Sequence, residues 1–171
     1  MEAKSGVLTV RELVLYTLLG TVMFALKIVM AGLPNIEPVT LSLMVYGAVF
    51  GLKALYPAYV YVAMEILYFG LGPWNICYFY IWAIPVVAAI LLRNMHAPIG
   101  WAVLSGAYGL LFGALCAPVD FLLGDLGYVV AKWVSGLSFD VLHAVGNFVI
   151  ALLAFAPLRL LLEKLYHKLR T

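Results

Sequence analysis

Charge is scarce in this sequence. Its 171 residues hold 10 Lys and Arg against 8 Asp and Glu, so 11% of the chain is charged while 66% is hydrophobic. A soluble globular chain is nearer half apolar and a quarter charged, and so few charges do not cover a water-facing surface. The apolar surplus is therefore expected to face lipid. A net charge of +2 leaves no broad basic field for nucleic acid. Cysteine is scarcer still. Cys77 and Cys116, with no CxxC spacing, are too few for a disulfide framework or a structural zinc site, and read as small apolar packers rather than a redox pair. There is no P-loop, so the chain does not hydrolyse ATP by that route. Soluble domains, linkers, low-complexity tracts and strong repeats are also missing. The first apolar run is too long for a cleavable signal and carries Lys27 instead of a small-residue cleavage site, so the N-terminus is expected to be retained.

What is present is a series of apolar stretches near the roughly 20 residues that a spanning helix needs. The pattern predicts an all-α membrane protein, a single membrane-embedded domain over 1–171 with six helices: 10–31, 38–53, 57–71, 76–92, 98–117 and 137–162. Pro85 should kink the fourth. The segment 118–136, broken by Gly124 and Gly127 and carrying Asp120, Asp125 and Lys132, reads as an interfacial or re-entrant hairpin. Six spans put both termini, the 2–3 turn and the 4–5 turn on one side. That side collects Lys4, Arg11, Lys53, Arg93, Arg159, Lys164, Lys168 and Arg170, and the positive-inside rule makes it cytoplasmic. The other side carries Glu37, Asp120 and Asp125.

An acid at bilayer depth costs about 2.5–3.5 kcal/mol on insertion scales, so Glu65, in the middle of the third stretch, needs a reason. Tyr61 and Tyr68 stand at i−4 and i+3 from it and share its face. The fourth stretch begins with Asn75, Tyr78 and Trp82 at i, i+3 and i+7. The sixth begins with Asp140, His143 and Asn147 at the same spacing. Three helices thus each carry a polar–aromatic stripe in the outer or central part. The pattern predicts a cavity open to the outside, with aromatic walls for a planar ligand and a few polar groups to orient it. Against this stand plainer roles. Trp74, Tyr59 and Tyr128 suit an interfacial aromatic belt. Asp140 could cap the sixth helix or pair with His143, and Lys27 could snorkel outward or pair with Glu37 or Glu65. No nucleophile motif accompanies Asp140 and His143, and His143 is the one histidine at membrane depth, which leaves a metal site without imidazole partners. No catalytic residue, metal or cofactor is expected.

Small residues form a second pattern. Gly47-Ala-Val-Phe-Gly51 is a GxxxG, Gly109, Gly113 and Ala117 repeat every fourth position, and so do Thr17, Thr21 and Ala25. Such ridges let helices approach closely in lipid, either within the bundle or against another subunit.

The stretch 33–51, LPNIEPVTLSLMVYGAVFG, and the stretch 136–148, GLSFDVLHAVGNF, resemble the first outer loop and second helix, and the start of the sixth helix, of the substrate-binding S component of energy-coupling factor (ECF) transporters. Six short spans over nearly the whole chain fit the same family. The resemblance implies a subunit that binds a vitamin or related micronutrient from outside, docks on a transmembrane coupling subunit with two cytoplasmic ATPases, and topples to release its cargo. It places the ligand between the first outer loop and helices four to six, which adds Asn35 and Glu37 to the stripes above. Many members dock through an AxxxA pattern on helix one, where this chain has Thr17, Thr21 and Ala25; Gly47 and Gly51 are further docking candidates. Acids outnumber Lys27 and Lys132 on the outer and central levels, so folate or pantothenate fits poorly and a neutral or cationic ring system fits better. Short outer loops point to a corrinoid such as cobalamin, with a pyridine, pyrimidine or deazapurine as the smaller choices. A stand-alone secondary carrier and an intramembrane lipid-acting enzyme built on Asp140 and His143 are the competing classes.

Overall fold

The computed structural model describes residues 8–33 and 36–170. Seven α-helices follow one another: α1 Val10–Val29, α2 Val39–Phe50, α3 Leu55–Phe69, α4 Pro73–Ile81, α5 Ala83–Leu91, α6 Pro98–Asp120 and α7 Leu126–Arg170. Five stretches among the described residues are long and apolar enough to cross a membrane: Val10–Val29, Val39–Phe69, Pro73–Leu91, Pro98–Asp120 and Leu126–Leu169. They are compatible with a multi-pass membrane protein.

Local chemistry sets the breaks. Thr9 and Glu12 open α1 as a capping box: Glu12 N–H donates to Thr9 Oγ1 at 3.2 Å and Thr9 N–H to Glu12 Oε2 at 3.1 Å. Between α2 and α3 lies one 3₁₀ turn, Gly51–Ala54, which starts at Gly51 with φ +62°, a conformation side chains resist. Glycine ends α3 too, at Gly70 with φ +82°. At Pro85 the missing N–H frees the carbonyl of Ile81 four residues back. Tyr108 of α6 donates its hydroxyl to that oxygen at 3.0 Å, so the break between α4 and α5 falls where a neighbour satisfies it.

The sequence reading differs most at the last connection. The interfacial or re-entrant hairpin expected over 118–136 does not stand as a separate element. Helix α6 continues through Pro118 to Asp120, residues 121–124 turn, and α7 begins at Leu126 and runs through Gly136 unbroken. Asp125 is the reason for the restart, since its Oδ1 accepts the Tyr128 N–H at 2.9 Å and caps the new helix. An ion pair from Lys132 to Asp120 ties the two arms together.

Contacts fix the relative directions. Lys53 reaches Glu12 at 2.6 Å and Lys27 reaches Glu65 at 2.7 Å, so α3 runs beside α1 in the same direction. Helices α6 and α7 are antiparallel: Trp101 stacks on Phe155 with centroids 4.0 Å apart, and the Gly113 N–H donates to Asp140 Oδ1 at 3.2 Å. The C-terminal ends of α1, α3 and α6 therefore meet the first turns of α2 and α4 and the first half of α7 at one end of the bundle. The opposite end is filled by rings, with Phe50 packed on Tyr16 and Tyr166.

Two glycine contacts decide how close the helices come. A Cβ on Gly109 would lie 2.8 Å from the His143 carbonyl carbon, and one on Gly47 would lie 2.7 Å from the Val86 oxygen. Gly109→Ala is expected to push α6 off α7 and lower stability by about 1–3 kcal/mol. Thermal unfolding in detergent checks this, with Gly136→Ala as the control, because a Cβ at Gly136 meets nothing within 4 Å.

Candidate functional site

At the end where α1, α3 and α6 terminate, the chain encloses a cavity of about 250 Å³. Lys27 of α1, Met30, Ala31, Leu33, Ile36 and Glu37 of the turn and loop that follow it, Tyr78 of α4, Phe112 of α6 and Asp140 and His143 of α7 line it. A wider groove of about 570 Å³ along α3 is lined by Leu52, Leu55, Tyr56, Tyr59, Val60 and Ala63. Without a charged or amide side chain it has nothing to orient a polar solute.

Lys27 is held by Glu65 at 2.7 Å, with the carboxylate side chain 2% exposed and the ammonium side chain 22% exposed. The rings of Tyr61, Phe69 and Tyr78 stand 5.5 to 5.9 Å from its Nζ, within cation–π range. With Lys27 committed to Glu65, the carboxyls of Glu37 and Asp140 face the cavity with no ion-pair partner among the described residues. Glu37 lies in the loop, half-buried. Burial pushes its carboxyl up to about 7; Lys27 pulls it down and Glu65 adds to the rise.

Asp140 spends one oxygen on the Gly113 N–H. Its Oδ2 and the Nε2 of His143 are buried with no hydrogen-bond partner among the described residues. A buried polar group left unpaired costs about 1–3 kcal/mol, so this pair of atoms is placed to receive a ligand or water. Beneath them the aromatic packing is continuous. Phe112 packs 5.0 Å from His143 and 5.6 Å from Trp82, and Trp82 meets Tyr78 at 5.4 Å and Tyr61 at 5.7 Å.

Of the residues singled out from sequence, Glu37, Tyr78, Asp140 and His143 come together in the cavity wall. Glu65, Tyr61 and Trp82 sit directly behind it as support. Three others do not join them. Tyr68 is 64% exposed and leans on Phe24, because α3 ends one residue later and its last turn passes the packed core. Asn75 is used to start α4, its Oδ1 accepting the Gly72 N–H at 2.7 Å. Asn147 donates to Thr40 Oγ1 at 3.2 Å and to the Ser105 carbonyl at 3.4 Å, knotting α2, α6 and α7. Asn35 lies outside the described residues. Asp140 sits well inside α7, so it is neither a cap nor, by its hydrogen bond, a partner of His143.

Sequence reasoning missed Met30, Ala31, Leu33, Ile36 and Phe112, which are apolar residues in apolar surroundings and carry no signal of their own. Among the docking candidates, Thr17 and Ala25 are exposed and Thr21 half-buried on the outer face of α1, whereas Gly20 is the residue that packs against α3. Gly47 packs against α5, and Gly51 sits at the positive-φ turn with nothing within 4 Å of an added Cβ. No protein-family profile, curated protein or solved structure matches this chain.

Proposed function

We propose that this chain is the membrane-embedded, solute-binding subunit of an uptake transporter of the ECF type, and that its solute is a small ring compound bearing a positive charge or several N–H donors. The observation that carries the reading is the cavity itself: two acids beside a lysine already paired with Glu65, a histidine nitrogen and a carboxylate oxygen without partners among the described residues, and aromatic walls, all at one end of an apolar bundle. Its size chooses among the ligands. Drug-sized molecules fill pockets of about 300–1,000 Å³, and about 250 Å³ suits one or two fused rings. A pyridine, pyrimidine or deazapurine is favoured over a corrinoid.

In this reading α2 and α3 count as separate passes because the Gly51 turn divides them, which makes six. Arg11, Lys53, Arg93, Arg159 and Lys164 then share the cytoplasmic side with both termini, and the cavity opens outward. The Thr17, Thr21 and Ala25 face of α1 is left for a coupling subunit, and ATP is hydrolysed by partner chains.

Mass spectrometry of whatever co-purifies with the detergent-solubilised protein is the direct test. A retained ring compound that is cationic or rich in N–H donors, held without ATP, supports the proposal. A retained dianion overturns the charge assignment. Uptake by this chain alone in liposomes, driven by an ion gradient, replaces the subunit with a secondary carrier. Lipid turnover abolished by His143→Ala replaces it with an enzyme.

The loop carboxylate adds a pH dependence. Below about pH 7 Glu37 is protonated in the empty site and contributes no charge. A cationic ligand is therefore expected to bind more tightly as pH rises from 6 to 7.5, then level off, in calorimetric titrations at constant salt. Glu37→Gln should flatten that rise. The empty fold behaves oppositely. An acid whose folded value is raised gives its full stability below the unfolded value of 4.5 and loses it as pH climbs through about 7.

A further inference from the structure

A second cavity of about 240 Å³ lies beside the first, and Phe112 is shared between their walls. Its lining includes Cys77 of α4 and Cys116 of α6, with the Asp120–Lys132 ion pair at its rim. The two thiols are 39 positions apart in sequence, yet their sulfurs stand 2.8 Å apart. Cys116 donates to Cys77, and Cys77 donates in turn to the Trp74 carbonyl at 2.9 Å. A thiol of α6 thus meets a thiol of α4, and the second thiol is turned by a carbonyl of its own helix. Both cysteines are free thiols. Apolar packing asks only for small side chains and does not bring sulfurs into line, so the sequence expectation of two unrelated packers is set aside.

We propose that Cys77 and Cys116 form an oxidisable dithiol, a modification site at which hydrogen peroxide closes a disulfide between α4 and α6. Cys116 is the more accessible of the two, half-buried against 2% exposure for Cys77, and it reacts first. Its sulfur attacks one peroxide oxygen, the O–O bond breaks, and a water molecule leaves, giving a sulfenic acid on Cys116. The Cys77 sulfur then attacks the Cys116 sulfur. The S–O bond breaks, and the hydroxyl departs as a second water with the Cys77 proton. Two thiols are oxidised by two electrons and one hydrogen peroxide molecule is reduced by two. Cys77 is already in contact with the sulfur it attacks, so the resolving step needs only a small approach of side chains. A bond of this kind ties the first turns of α4 to the end of α6, next to Phe112.

The experiment uses the full chain, purified in detergent with hydrogen peroxide as the probe, then denatured, alkylated with iodoacetamide and mapped by peptide mass spectrometry. Untreated protein is expected to take a label on both cysteines. Treated protein is expected to take neither, to yield a cross-linked pair of peptides containing Cys77 and Cys116 and lighter by two hydrogens, and to recover both labels after dithiothreitol. Cys116→Ser should leave Cys77 labelled under the same treatment. Retention of both labels overturns the proposal. So does oxidation that stops at sulfinic acid on Cys116 with no cross-link, or a bond formed only between separate chains. None of these readouts depends on the transport assignment.

Discussion

Lys27→Met is expected to lower the stability of the folded protein by about 3–5 kcal/mol, the cost of breaking a buried ion pair from one side. The Glu65 side chain is 2% exposed and Lys27 is its cation at 2.7 Å. Removing the ammonium leaves a carboxyl buried in the bundle without its cation. The mirror change is milder. Glu65→Leu frees a lysine whose side chain is 22% exposed and whose stem is long enough to carry its charge outward. Lys27→Met with Glu65→Leu removes both charges, and a well-packed apolar pair is often as stable as the ion pair it replaces. The order expected in detergent melting curves is wild type and double variant highest, Glu65→Leu next and Lys27→Met lowest. Equal losses for the two single variants would show that Glu65 has another means of relief.

Asp140→Asn is expected to weaken binding of the co-purified ligand by roughly 30-fold or more while leaving the fold intact. Truncating one side of a desolvated charge pair costs about 2–5 kcal/mol, and each 1.4 kcal/mol is about tenfold in affinity. The asparagine keeps the side-chain size and the oxygen that accepts the Gly113 N–H. What it changes is the second oxygen, the one with no partner among the described residues, which becomes a donor without charge. Calorimetry on wild type and variant gives the ratio, and melting temperatures of the empty proteins show whether folding was disturbed. An unchanged affinity together with an unchanged fold would remove Asp140 from the site.

The apolar runs and the break near Pro85 were legible in the sequence because each has a local cause, whereas the stops at Gly51 and Gly70 were read through. Polar residues were easy to find and harder to assign. Glu65, Asp140 and His143 stood out by their cost, and they are buried together at one end of the bundle. Asn75 and Asn147 carried the same signal for a different reason, since a buried amide that closes a cap or bridges three helices has the same spacing as one that holds a ligand. Tyr68 failed because periodicity takes no account of where a helix stops. The unbroken start of α7 was hidden by Gly127, which read as a breaker, while the decisive residue was the cap at Asp125. Phe112, the residue shared by both cavities, had no signal at all, being one ring in an apolar helix.

One helix is longer than any membrane requires. At about 1.5 Å per residue, the 45 residues of α7 extend for about 67 Å, against a hydrocarbon layer of about 30 Å. More than half of that rod has to lie in headgroups, in water or against another protein. Its last turns carry Arg159, Glu163 and Lys164, and its first half carries Asp140 and His143. A continuous helix transmits rotation along its length, so a small change of angle at the cavity becomes a large sweep at the far tip. A tilt of about 20°, ordinary for membrane helices, would carry an arm of about 35 Å through about 12 Å. The cavity and the C-terminal tip are joined by a single lever.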